Sequence, residues 1–141
     1  MTDSALLYFV DDEPLANRLF VRAAEQLGYP SQAFTSAAEC LEAIRQRFPA
    51  MVLRYLNMPG MDGFGLIRVL ATEWPELPVL AITGQSTVER AVQAMQAGAA
   101  DFLKKPYELK ELELVIHRCL KFSAINRTTL WRKLRTGNGE A

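Results

Sequence analysis

Apolar and polar positions alternate in blocks along this chain. Five short, mostly apolar runs, at residues 5–10, 31–34, 51–55, 77–82 and 99–103, are separated by longer amphipathic stretches. Several runs are apolar at consecutive positions, as strands buried on both faces are. Between them apolar residues recur with helical period. Leu15, Leu19, Phe20, Ala23 and Leu27 make one such face, and Gly28 closes it as a C-terminal stop. Ser36 opens a second helix with Glu39 at capping-box spacing, and Leu41, Ile44 and Phe48 supply its apolar side. A third covers 63–74 and stops at Pro75. A fourth covers 86–97, with Val88, Ala91, Val92 and Met95 inward and Gly98 as its stop. Leu109, Leu112, Val115, Ile116 and Cys119 mark a fifth.

Strand–helix alternation repeated five times predicts an α/β fold, a doubly wound parallel sheet with helices on both faces. In such sheets the functional residues lie just beyond the carboxyl ends of the strands. Here these are Asp11, Asp12 and Glu13, then Tyr55 to Gly60, then Thr83 and Gly84, then Lys104, Lys105 and Pro106. Adjacent carboxylates repel and call for a cation, either Mg2+ through oxygen ligands or a lysine. The plainer reading of Asp11 and Asp12 is a helix start, because Glu13-Pro14 opens a helix at once. Thr83 alone reads as a strand-end hydroxyl. Lys105 precedes Pro106, where a cis bond would aim the lysine. Gathered on one sheet edge, the set points to a site.

The 141 residues suit one domain, and their 50% apolar and 23% charged content suits a soluble core that needs no staples. Net charge is zero, but it is unevenly spread: residues 1–116 carry 10 basic and 15 acidic side chains, and residues 117–141 carry 6 and 1. A mildly acidic body thus precedes a basic tail. Two cysteines, Cys40 and Cys119, and one histidine, His117, argue against a disulfide framework or a histidine-based metal site. No run reaches the ~18–20 apolar residues of a membrane span. The opening Met1-Thr2-Asp3-Ser4-Ala5 has no basic n-region, so a cytoplasmic protein without membrane contact is expected.

The strings LLYFVDDEP, NMPGMDG, AITG and DFLKKPY, in this order over residues 5 to about 120, resemble the bacterial response-regulator receiver domain of two-component, phosphorelay signalling. The resemblance implies a flavodoxin-like (βα)5 fold with strand order 2-1-3-4-5. It also implies that Asp11 and Asp12 hold Mg2+ together with the backbone carbonyl of Asn57, and that Lys105 pairs with a phosphoryl group. Thr83 matches the hydroxyl residue that moves toward that group, Phe102 the aromatic switch, and Pro106 the proline after a cis bond. Residues 58–63 match the family's loop and helix start.

One departure matters. Where phosphate-accepting receivers place an aspartate, four residues before the loop proline, this chain has Tyr55, preceded by Arg54. Aspartyl phosphorylation needs a carboxylate nucleophile and Mg2+ shared with the acidic pair. A phenol, with an ordinary pKa of ~10, offers the metal no negative charge. Weak or absent Mg2+ affinity follows, and no catalytic turnover is expected. Asp62 in the loop is too remote from the acids to stand in. Strand alternation sends Tyr55 into the pocket and Arg54 away from it. An Arg54 that bends back would neutralise Asp11 and Asp12 as a substitute cation; otherwise it snorkels at the rim. The reading is a pseudo-receiver that keeps fold and pocket frame, with the Tyr55 ring holding Thr83 and Phe102 in one state.

The expected organisation is a receiver at 1–122 and a basic helical extension at 123–141. Residues 126–134 also resemble the recognition helix of Fis-type helix-turn-helix domains, over about ten residues and without a separate positioning helix. Expected partners are a histidine kinase, another receiver or an output protein. A homodimer would use the fourth and fifth helices. The alternative is a DNA-binding regulator that reads DNA with its tail.

Overall fold

The computed structural model describes residues 5–56, 63–84 and 88–121. The order is β1 (Leu7–Val10), α1 (Pro14–Leu27), β2 (Ser31–Phe34), α2 (Ala37–Gln46), β3 (Met51–Tyr55), α3 (Gly63–Glu73), β4 (Val79–Thr83), α4 (Val88–Ala97) and β5 (Asp101–Lys104). A fifth helix, α5, is described over residues 109–121. The five strands are all parallel in the order β2-β1-β3-β4-β5, the flavodoxin-like topology that the resemblance implies. The tail, residues 122–141, the loop carrying Asn57 and Asp62, and Ser86 lie outside the described residues.

Three strands differ from their predicted spans by a residue or two. β1 begins at Leu7 rather than at residue 5, and β4 and β5 each start and end later. The cause at β4 is Pro78, which has no N–H and enters the sheet only through its carbonyl, accepting from Val52 N–H at 3.0 Å. Before β5, Ala99 N–H returns to the Ala94 carbonyl at 3.0 Å and closes the preceding helix instead of extending the strand.

The sheet divides the core in two. Tyr8, Val10, Val52, Val79 and Ala81 face α2, α3 and α4, where they meet Cys40, Ile44, Ile67, Leu70 and Ala94. Leu7, Phe9, Met51, Leu53, Leu80 and Ile82 face α1 and α5, meeting Phe20, Ala24, Leu112, Ile116 and Cys119. Burial on both faces explains the continuous apolar strands. Helix ends follow the sequence signals. Ser36 Oγ accepts the Glu39 N–H at 3.2 Å, and Glu39 Oε1 reaches back to Thr35 N–H at 3.2 Å rather than to Ser36 itself. Gly28 closes α1 in the left-handed region at φ 87°.

Two helix faces differ from the prediction. On α4, Val88 (82% exposed), Val92 and Met95 point to solvent, and the residue buried against the core is Ala94. The reason is close helix packing: a Cβ added at Gly98, φ 121°, would stand 2.5 Å from the Ala71 Cβ of α3. At that separation only small side chains fit between α3 and α4. On α1, Leu15 and Leu19 are exposed, while Asn17, Phe20 and Ala24 are buried. Phe20 stacks on Phe9 with centroids 4.3 Å apart, which fixes the rotation of α1 over the sheet. Phe48 lies beyond the end of α2 and is exposed.

Candidate functional site

The site forms where β1, β3, β4 and β5 end together. Asp11 follows β1 and is held there by its N–H, which donates to the Phe34 carbonyl at 3.0 Å. Its side chain is 1% exposed. Oδ1 accepts the Glu13 N–H at 3.0 Å, whereas Oδ2 is buried with no hydrogen-bond partner among the described residues. Burial pushes the Asp11 carboxyl above its ordinary pKa, against the Glu13 N–H and the Lys105 charge, which pull it down; neighbouring Asp12 adds to the rise. The helix-start reading of the acids is met only in part. The N-cap of α1 is Glu13, which makes no side-chain cap, and no acid stands in the first turn. Asp12 is exposed.

Tyr55 ends β3 and lies half-buried on the α1/α5 side, in register with Ile82 of β4. The Lys105 ammonium stands over its ring, 4.5 Å from the centroid. Lys105 is anchored by its backbone: its N–H donates to the Thr83 carbonyl at 2.7 Å, and the Lys105–Pro106 peptide is cis. Thr83 is fully buried at the end of β4. Phe102 is partly buried and packs on the opposite core from Tyr55. Among the described residues, then, the structure gathers Asp11, Asp12, Tyr55, Thr83 and Lys105 at one end of the sheet.

Arg54 corrects the sequence reading. It neither snorkels at the rim nor bends back to the acids. It is 0% exposed and occupies the middle of the sheet, in register with Val10 on one side and Ala81 on the other. Alternation places it on the α2/α3/α4 face, where its charge acts on the Cys40 thiol. The cation that acts on Asp11 is Lys105.

Two further residues belong to this end of the sheet. Asn17 on α1 is buried and donates from Nδ2 to the Asp11 carbonyl at 3.0 Å, which ties the helix to the site. Its polar position on an otherwise apolar face was the available signal. Tyr107, just beyond the cis bond, has its phenol pKa raised by burial and by the negative charge of Asp11. Beside it a groove of about 320 Å³ opens between α1 and α5, bordered by Phe9, Phe20, Lys105, Tyr107 and Leu109.

This topology and this set of strand-end groups define a receiver-type α/β domain. The response regulator receiver domain model matches residues 7–117, and the chain belongs to that family. It is 34% identical over 115 residues to the DNA-binding transcriptional regulator NtrC of Escherichia coli, covering 82% of this chain and 24% of that protein. It is 42% identical over 94 residues to the response regulator protein FleR of Pseudomonas aeruginosa, covering 66% and 20%. The crystal structure of NtrX from Brucella abortus superposes with a TM-score of 0.85 at 32% identity, over 95% of this chain and 30% of that one. The chain thus spans about a quarter of the length of the curated relatives it matches.

The family implies a divalent cation at the acidic pair. A Mg2+ ion keeps several of its waters and is held through one or two carboxylates. Among the described residues no group of three or more His, Cys, Asp or Glu side chains is placed to hold a metal. Asp11 offers one uncommitted oxygen, Asp12 is exposed, and the third position is an aromatic ring under an ammonium.

Proposed function

We propose that this receiver domain works in two-component signalling as a protein-interaction module that aspartyl phosphate does not switch. The observation that carries the reading is Tyr55 at the carboxyl end of β3, beneath Lys105, where an aspartyl phosphate would require a carboxylate. Phosphoryl transfer to a carboxylate needs an in-line nucleophile with a metal to hold the incoming group. The ring supplies neither. Its place under the Lys105 ammonium, with Lys105 bound through its backbone to Thr83, supports a pocket held in one arrangement. The signal then passes by binding, to a histidine kinase, another receiver or an output protein. Among the described residues no helix is long and apolar enough to cross a membrane.

Intact mass and peptide mapping after incubation with Mg2+ and acetyl phosphate test the reading, with Tyr55→Asp alongside. The native chain is expected to gain no phosphate and the variant to gain one. A phosphorylated native chain overturns it.

A second reading draws on the relatives. NtrC is a DNA-binding regulator, and residues 117–141 here carry six basic side chains against one acid. Salt-dependent DNA binding that disappears on removal of residues 123–141 supports this alternative, and no binding at moderate salt removes it.

A further inference from the structure

We propose that the Lys105 ammonium is itself the resident cation of this pocket: held on the Tyr55 ring at the sheet end where Asp11 also lies, it stands in for a divalent ion, which the pocket does not take up at millimolar concentration. The proposal rests on the reading of this pocket as a receiver site altered at Tyr55, and it adds what fills the site instead.

Charge balance comes first. A buried carboxylate with an uncommitted oxygen needs a counterion, because an isolated charge in a low-dielectric site is costly. Asp11 is such a group, and the Lys105 ammonium stands at the same end of the sheet, over the ring that ends β3. Arg54 is on the other face of the sheet. Geometry comes second. The Lys105 backbone is fixed by the 2.7 Å bond to the Thr83 carbonyl, so its side chain starts from a set point at the pocket edge. The electron-rich face of Tyr55 then supplies the attraction that fixes the other end, 4.5 Å from the ammonium. An aspartate at this position would attract the lysine and a metal alike. A tyrosine ring selects the ammonium, which is already tethered there, because a strongly hydrated divalent ion gains too little from an aromatic face to give up its water. Repulsion completes the exclusion, since a second cation beside Asp11 would sit against the first.

The test uses the full chain and Mn2+ alone, with free Mn2+ counted by electron paramagnetic resonance and no phosphoryl donor present, so it reports on metal independently of phosphorylation. The native chain is expected to show no saturable binding into the millimolar range. Tyr55→Asp should raise the initial binding slope by about tenfold or more, as one added carboxylate ligand does. Lys105→Gln and Lys105→Met should each raise it by about threefold to tenfold, because removing the internal cation uncovers Asp11. Circular dichroism melts confirm that each variant folds, and the two lysine variants check one another. Stoichiometric native binding at submillimolar Mn2+ overturns the proposal. So does a gain for Tyr55→Asp with none for either lysine variant, which assigns the lost affinity to ligand charge alone.

Discussion

Arg54 and Tyr55 are consecutive residues of β3, yet they meet opposite surroundings. Arg54 is sealed at the centre of the α2/α3/α4 face, between Val10 and Ala81, with no exposed surface. Tyr55 turns toward α1 and α5, half-buried, beneath the Lys105 ammonium. The period-two geometry of a strand separates them. The lesson is that one substituted pair serves two regions: the cation on the sealed face belongs to the packed core, and the ring on the open face belongs to the site.

The comparison can be broken most forcefully on the sealed face. Arg54→Ala removes a fully buried side chain and leaves a cavity around a core of apolar neighbours. We expect a loss of about 3 kcal/mol of stability, measured by urea unfolding. A loss below about 1 kcal/mol, the range of surface sites, would show that Arg54 is not part of the core. Gly98→Ala comes next. It forces a left-handed backbone and sets a methyl against Ala71, so about 2 kcal/mol should be lost. An unchanged unfolding midpoint would mean that α3 and α4 separate freely.

The open face should respond more weakly, and at Asp11 with the opposite sign. Asp11→Asn keeps an oxygen to accept the Glu13 N–H but removes the buried charge, so we expect the fold to gain about 1 kcal/mol at neutral pH. A loss would mean that the Lys105–Asp11 attraction outweighs desolvation. Arg118→Ala, at the far end of the same side, breaks a 2.8 Å contact between α5 and Asp101 that is more than half exposed on the arginine. Less than about 1 kcal/mol should follow. The smallest effect concerns Cys40 and Cys119, one on each face. Burial pushes both thiols from 9.0 up to about 12. Thiolate is the reactive form, so at pH 8 both should resist an aromatic disulfide reagent until the chain unfolds. Rapid labelling of either thiol in the folded chain would show that it is not sealed in the core.

Much of this was legible in the sequence. The strands declared themselves because both faces are buried, and the caps at Ser36, Gly28 and Gly98 are local chemistry that tertiary packing left intact. On α4 the structure departs from the sequence, because helical period does not say which stripe faces inward. Val88, Val92 and Met95 keep perfect spacing, but the close approach of α3 admits only Ala94 and its small neighbours. At the site, the acids, Thr83 and Lys105 could be placed by counting from strand ends. The burial of Arg54 could not, because an arginine in an apolar strand reads as a rim residue until its neighbours in the sheet are known. Nor could the Lys105–Tyr55 stack, which depends on where the chain returns after β5.

The most direct test of the account is the backbone amide spectrum of the full chain titrated with Mg2+ and beryllofluoride, a mimic of a phosphoryl group on a carboxylate, for the native protein and Tyr55→Asp. The account predicts that the amides of Thr83, Phe102 and Lys105 shift in the variant and stay fixed in the native chain. Equal shifts in both would contradict it, because the pocket would then respond without a carboxylate at residue 55.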